Sequence, residues 1–181
     1  DVADFKISPD GQTVVYRSTH GSAVSDLYAV SINAGPSTPL NVTSAVARAP
    51  ESNYEISGDS QRVIYYTQQD AVGKYELFSV PITGGEPLRL NPELTDSQTV
   101  RGDFRMAADG RRVVFRTNHE LQGVDQLYQS HVAGGGAVRL NQPLDSTQDV
   151  LVFFQVSPDG SRVLYRADEH LDEVYNLFSV S

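Results

Sequence analysis

With cysteine absent, the first candidates for chemistry in this sequence are serine, histidine, carboxylate and arginine side chains. Nucleophilic catalysis needs a serine on a strained elbow beside a general base. No Gly-x-Ser-x-Gly occurs, and Ser22, Ser60 and Ser161 fall in predicted loops or turns. Zinc needs converging histidines and carboxylates. His119-Glu120 begins like His-Glu-x-x-His, but Gly123 stands where the second histidine would be. Calcium needs loops rich in oxygen ligands. The densest acidic stretch, residues 168–173, offers Asp168, Asp172 and Glu173 but lacks the Asp-x-Asp-x-Asp-Gly spacing, so a solvated acidic loop is the default expectation. Gly134-Gly135-Gly136 has no helix predicted after it and reads as a turn rather than a phosphate cradle. No pattern asks for a cofactor. The one Asn-x-Ser/Thr sequon, at Asn41, matters only in a eukaryotic secretory pathway.

The elements that position these residues come from an internal repeat. Phe5-Lys6-Ile7-Ser8-Pro9-Asp10-Gly11, followed by Val14-Val15-Tyr16-Arg17, has counterparts beginning at Tyr54, Phe104 and Phe154. Asp10, Asp59, Asp109 and Asp159 are spaced 49, 50 and 50 residues apart, and Asn41, Asn91 and Asn141 by 50 and 50. The apolar runs are short, β-branched and aromatic, and Gly, Pro, Asp and Asn punctuate them, so each repeat reads as strands. Ser-Pro-Asp-Gly is a turn: Pro presets φ, Asp tolerates the third position, and Gly accepts positive φ at the fourth. The four aspartates are therefore expected to be structural turn residues. The strand before the turn is a and the strand after it is b. A loop of nine to eleven residues leads to strand c, and a Gly-rich turn leads to a short strand d ending in Leu-Asn. Apolar residues on both faces of strand b imply a sheet sandwiched between two others. Arg17, Arg116 and Arg166 end their b strands opposite Asp26, Gln126 and Asn176, which suggests an Arg17–Asp26 cross-strand ion pair.

Four strands per ~50 residues is the size of a propeller blade. The expected fold is an all-β propeller of four blade repeats, 1–41, 42–91, 92–141 and 142–181, in a single domain over residues 1–181. Each blade should have four antiparallel strands except the last. That repeat stops at Leu177-Phe178-Ser179-Val180-Ser181, within strand c, and is expected to be three-stranded. Three arrangements remain open: part of a larger propeller, a closed four-blade ring, or a homodimer through the incomplete edges.

Composition narrows the function classes. The net charge is −9, with 14 Lys+Arg against 23 Asp+Glu, and the sole adjacent basic pair is Arg111-Arg112. No basic stripe exists to displace counterions from phosphates, so nucleic acid is not an expected partner. No apolar run approaches the ~18 residues of a membrane helix. No signal-peptide pattern is present, and a start at Asp1-Val2 is compatible with an upstream signal.

Ser-Pro-Asp-Gly, intact in the first and fourth repeats and drifted to Ser57-Gly58-Asp59-Ser60 and Ala107-Ala108-Asp109-Gly110 in the others, resembles the TolB-type propeller repeat. The resemblance covers nearly the whole chain. It implies the propeller fold and a periplasmic, cell-surface or secreted location. It is shared with the gating propellers of prolyl-oligopeptidase-like serine peptidases and with large bacterial surface proteins. Propellers recognise partners with loops while strands carry packing. The b–c loops and d–a linkers share one rim, opposite the short a–b and c–d turns. His20, His119, His170, Arg48, Arg101 and Asp149 are its candidate binding residues. The expected function is a non-enzymatic module presenting that rim to a protein, peptide or glycan. The alternatives are the propeller part of a serine peptidase whose catalytic domain lies outside the chain, and a structural array in a surface protein.

Overall fold

A computed structural model describes residues 1–19, 25–41, 53–171 and 173–181. Among them there is no helix, and the strands form four antiparallel sheets in sequence order. The chain divides into two compact units, Asp1–Leu90 and Asn91–Ser181. In the first unit, blade 1 is β1 (Val2–Ile7), β2 (Thr13–Ser18), β3 (Asp26–Ser31) and β4 (Thr38–Pro39). Blade 2 is β5 (Tyr54–Ile56), β6 (Arg62–Ala71), β7 (Lys74–Pro81) and β8 (Leu88–Arg89). In the second unit, blade 3 is β9 (Arg105–Met106), β10 (Arg112–Thr117), β11 (Gln126–His131) and β12 (Ala137–Arg139). Blade 4 is β13 (Val150–Val156), β14 (Val163–Ala167) and β15 (Asn176–Val180), a three-stranded sheet with β15 at its edge.

The a–b turns have one geometry. The N–H of residue four donates to the C=O of residue one at 2.8 Å in all four blades, Gly11 to Ser8, Ser60 to Ser57, Gly110 to Ala107 and Gly160 to Ser157. The fourth residue is left-handed in each, with φ of 71°, 60°, 64° and 71°. Glycine takes this conformation without penalty, whereas Ser60 does so against the clash of its Cβ.

Strands b and c carry one stacked ring pair per blade, in direct cross-strand register. The pairs are Tyr16–Tyr28, Tyr65–Phe78, Phe115–Tyr128 and Tyr165–Phe178, with centroids 5.6, 5.7, 6.1 and 5.4 Å apart. Such pairs stabilise a sheet beyond their burial by ~0.5–1.5 kcal/mol. Strand d is held by the recurring Leu-Asn. Leu40, Leu90 and Leu140 donate their N–H to the C=O of Leu27, Leu77 and Leu127 at 2.8, 2.9 and 2.8 Å. Asn41 and Asn141 then accept the N–H of Leu27 and Leu127 through Oδ1, both at 2.7 Å.

Each unit buries its core between its two blades. In the first unit Val15, Leu27 and Leu40 of blade 1 meet Tyr54, Val63 and Val80 of blade 2. The Tyr54 hydroxyl reaches across to the Val15 carbonyl at 3.3 Å. In the second, Val114, Leu127 and Leu144 meet Phe154, Val163 and Tyr165. Strand b is buried on both faces in blades 2 and 3, at Val63, Ile64 and Tyr65 and at Val113, Val114 and Phe115, each large apolar side chain contributing about 1.5–3 kcal/mol.

Three expectations are corrected. Blade 2 has no nine-to-eleven-residue b–c loop, because β6 and β7 run on to a tight hairpin turn at Val72-Gly73. Gly73 takes φ 86° there. In blade 4, strand a begins at Val150 rather than near Phe154, with a register shift between Val150 and Phe154. Arg17 pairs with Asp4 on strand a, through Nε at 2.8 Å, instead of with Asp26. Asp26 accepts the side-chain amide of Asn41 at 2.9 Å. Arg17 faces Leu27 in the register, so Asp26 is one residue out of step with it.

Candidate functional site

The rim of b–c loops and d–a linkers is described most fully in the second unit. The linker entering blade 3 is pinned by a turn in which Gln98 N–H bonds Thr95 C=O at 3.1 Å while Gln98 Oε1 accepts Thr95 N–H at 2.7 Å. The linker entering blade 4 repeats it with Asp145 and Gln148, at 3.3 and 3.0 Å. Buried Leu94 and Leu144 anchor the two linkers from below. Linker and loop are stitched together, since Thr99 N–H donates to Asn118 Oδ1 at 2.7 Å and Asp149 N–H to Asp168 Oδ1 at 2.6 Å.

An ion network joins these segments. Arg116, nearly buried at the end of β10, donates to Asp103 at 2.9 Å, to Asp125 at 3.0 Å and to the Val150 carbonyl at 2.9 Å. Arg101 donates through Nε to both oxygens of Asp125 at 2.9 Å. Asp149 Oδ1 accepts the N–H of Asp125 at 2.6 Å. Burial pushes the Asp149 carboxyl above the usual range, and the charges of Asp125 and Asp168 add to it, against the lowering pull of that N–H and of Arg116. Arg101 and Asp149, candidates from the sequence, thus meet in one cluster. Asp103, Asp125 and Arg116 were not singled out as rim residues, although the Asp–Arg spacing of thirteen recurs at Asp4–Arg17 and Asp103–Arg116. That spacing is the signal that could have found Asp103 and Arg116.

The loop tips expose apolar side chains. In blade 3 Val124 N–H closes a turn on Leu121 C=O at 3.1 Å, and in blade 4 Val174 does the same to Leu171 at 3.0 Å. Leu121 and Leu171 occupy equivalent positions and are solvent-exposed. The turn needs a left-handed residue, Gly123 at φ 85° in blade 3 and Glu173 at φ 58° in blade 4. Glu173 N–H donates to Asp168 Oδ2 at 3.1 Å.

The described histidines lie apart from the ion network. His119 stands edge-on to Tyr128 at 4.9 Å, and burial lowers its pKa. It is half-buried rather than the exposed loop histidine expected, because the strand-c ring lies under it. His170 stands edge-on to Phe178 at 5.4 Å. Between loop and strand d of blade 3, Glu120 accepts from the Tyr128 hydroxyl, from Gln126 at 3.3 Å and from Arg139. Burial disfavours its charged form, but these donors outweigh it and hold its pKa below the ordinary value. Among the described residues no three His, Asp or Glu side chains group as metal ligands. His20, Arg48 and Asp172 lie outside the described residues.

The recurring aspartates sit at the other end of the blades. Asp10, Asp59 and Asp159 each accept a serine hydroxyl at 2.6 Å and a backbone N–H at 3.0 Å through Oδ1. Asp109, with Ala107 in place of the serine, accepts Arg111 N–H at 2.9 Å and the Arg112 guanidinium at 3.1 Å. The Ser157 hydroxyl, with the Ser161 N–H and hydroxyl, pulls the Asp159 pKa down to about 2.

No protein-family model matches the sequence, and no curated protein does. Solved structures do match. TolB from Acinetobacter baumannii aligns over 99% of this chain and 40% of its own, at 13% identity and a TM-score of 0.56. A prolyl endopeptidase aligns over 100% and 27%, at 12% identity and a TM-score of 0.65. The S511A mutant of puromycin hydrolase, complexed with PGG, aligns over 99% and 27%, at 15% identity and 0.58. The chain therefore spans well under half the length of these proteins. What it shares with them is the TolB-type β-propeller fold.

Proposed function

We propose that the chain is a non-enzymatic interaction module that presents the rim of b–c loops and d–a linkers to a protein, peptide or glycan. The observation that carries the reading is the pair of exposed leucines, Leu121 and Leu171, on turns held to a hydrogen-bonded and ion-paired base. Exposed apolar side chains on a rigid polar scaffold suit recognition, because little ordering remains to be paid on binding. The propeller fold shared with TolB supports a periplasmic, cell-surface or secreted setting. Among the described residues no helix is long and apolar enough to cross a membrane.

The test is selection on immobilised protein from a random peptide library and a glycan array, followed by rim variants. Leu121→Asp with Leu171→Asp should weaken a selected ligand at least about tenfold, the loss of ~1.4 kcal/mol. Val138→Asp, an exposed change on β12, should leave it unchanged. Binding that ignores both leucines and fails with Val138→Asp would place recognition elsewhere and overturn the reading. The competing reading, the propeller part of a prolyl-oligopeptidase-like peptidase, rests on the same kind of fold likeness. A peptidase domain encoded downstream in the same gene would favour it.

A further inference from the structure

The geometry points to a groove between β9 and β13, the a strands of blades 3 and 4, that binds the C-terminal residue of a peptide. The same place in the first unit shows what such a groove needs. There Lys6 of blade 1 reaches the a strand of blade 2. Its ammonium donates to the Tyr54 C=O at 2.5 Å, stands 5.0 Å from the centre of the Tyr54 ring and lies 3.7 Å from Glu55. Lys6 thus supplies a donor to the Tyr54 carbonyl and finds its counter-charge beside it.

In the second unit Arg105 stands in the place of Lys6, Phe154 in that of Tyr54 and Gln155 in that of Glu55. Arg105 makes no bond to blade 4. It turns back and donates through Nη1 to the carbonyls of Phe104 at 2.9 Å and Asp103 at 3.4 Å. Among the described residues its Nε and Nη2 have no partner and no carboxylate pairs with it. Beside it lies a groove of about 210 Å³ lined by Arg105, Met106, Phe154, Gln155 and Val156.

The groove offers an acceptor and a cation between apolar walls. Ser157 N–H donates to Arg162 C=O at 2.8 Å, and the two-residue alternation of an antiparallel ladder then points the Gln155 main chain at β14 and the Phe154 main chain away from it. The Phe154 ring is packed in the core of the unit, so this residue meets the groove with its main chain, and its C=O is an acceptor as the Tyr54 C=O is for Lys6. Nε and Nη2 of an arginine form an edge that takes a carboxylate in two parallel bonds. Met106 and Val156, both half-buried, are the apolar walls. An ammonium is disfavoured here, because Arg105 is positive and Gln155 lacks the charge of Glu55. The last residue of a peptide meets every one of these demands. Its neutral N–H donates to Phe154 C=O, its carboxylate pairs with Arg105, and an aliphatic side chain lies against Met106 and Val156. The volume is below the ~300–1,000 Å³ of sites for drug-sized ligands, which limits the occupant to about one residue.

Met106 is the sole methionine of the chain, so an isotope-labelled methionine methyl group gives one NMR signal, and that signal reports from the groove. The experiment titrates N-acetyl-Ala-Val into the whole labelled chain and follows this methyl resonance. A saturable shift is expected. The same dipeptide with its carboxylate amidated should bind at least about threefold more weakly, the size that a solvent-screened ion pair supports. Isovalerate, which has the carboxylate and the aliphatic group but no N–H, should also bind more weakly than the dipeptide. Arg105→Gln should abolish the preference for the free carboxylate, whereas Lys6→Gln, in the first unit, should preserve it. The readout involves neither Leu121 nor Leu171, so it is independent of recognition at the rim. The absence of a saturable shift up to the highest soluble dipeptide concentration would overturn the inference. So would equal affinity for acid and amide, equal affinity for isovalerate and the dipeptide, or a preference for the acid that survives Arg105→Gln.

Discussion

Replacing Arg116 by alanine tests whether the ion network clamps blade 3 to blade 4. The guanidinium is nearly buried and makes three hydrogen bonds of 2.9–3.0 Å, two to carboxylates and one to the Val150 backbone on blade 4. Removing it leaves Asp103 and Asp125, with side chains 16% and 12% exposed, short of their partner. Breaking a buried pair this way costs ~3–5 kcal/mol because the stranded charge is poorly hydrated. Asp125 keeps Arg101, so the expected loss lies near the low end, about 3 kcal/mol. The matched control is Arg17→Ala in blade 1. Its partner Asp4 has a side chain 35% exposed, and water screens it, so that variant should lose about 1 kcal/mol. With an m-value of ~2 kcal/mol/M in urea, the unfolding midpoints should fall by about 1.5 M and 0.5 M. Circular dichroism at 25 °C reads both. Arg116→Lys should recover little, since an ammonium cannot hold two carboxylates and a carbonyl in a planar fork. Equal losses at Arg17 and Arg116, or full rescue by lysine, would refute the clamp.

Two further outcomes follow from the geometry. Asn141→Ala leaves the buried Leu127 N–H without its acceptor and should cost ~1–3 kcal/mol in urea unfolding, while Asn33→Ala, in the exposed c–d turn of blade 1, should change little. Asp149→Asn should stabilise the protein at pH 7. The folded pKa of Asp149 is raised, so its favourable contribution is present below the unfolded value of ~3.9 and is lost as pH rises through the folded value. The asparagine keeps an oxygen for the Asp125 N–H, and the gain over wild type should vanish as the pH approaches 3.

The blade was legible in the sequence because its signals are local. Turn chemistry at Asp10 and its counterparts and the Leu-Asn ending strand d act within a few residues, and the repeat shows the same signals several times over. The three strands of the fourth sheet were legible for the same reason. The rim was not. Arg116 meets Asp103 thirteen residues upstream, Asp125 nine downstream and Val150 in the next blade, contacts that depend on how sheets stack. The misassigned Arg17–Asp26 pair shows the same limit. Adjacent strands offered a partner on either side, and a one-residue offset in the register decided for Asp4. The hairpin at Val72-Gly73 was missed because residues 67–76 lack the alternating apolar pattern that marks a strand, although backbone pairing continues through them.

The two drifted turns show how sequence departure can carry structural information. In blade 2 serine replaces the fourth-position glycine and accepts a left-handed φ of 60°, a cost of about 1 kcal/mol or more. Its hydroxyl offsets that cost by accepting the N–H of Asp10 at 3.0 Å, which ties the turn of blade 2 to the turn of blade 1. In blade 3 alanine replaces the first-position serine, and Asp109 loses a hydroxyl donor. Arg112 fills the role from outside the turn, and its other end donates to the Gly160 carbonyl at 2.6 Å on blade 4. Each drifted turn has therefore gained a bond to the neighbouring blade of its unit; blade 3 gave up its serine–aspartate bond, whereas blade 2 kept its own. Blades 1 and 4, which keep Ser-Pro-Asp-Gly, receive those bonds through backbone atoms of the unaltered turn, the N–H of Asp10 and the C=O of Gly160. The intact and drifted turns are thus complementary halves of one contact: a regular turn offers a backbone group at a fixed place, and the altered turn supplies the side chain that reaches it.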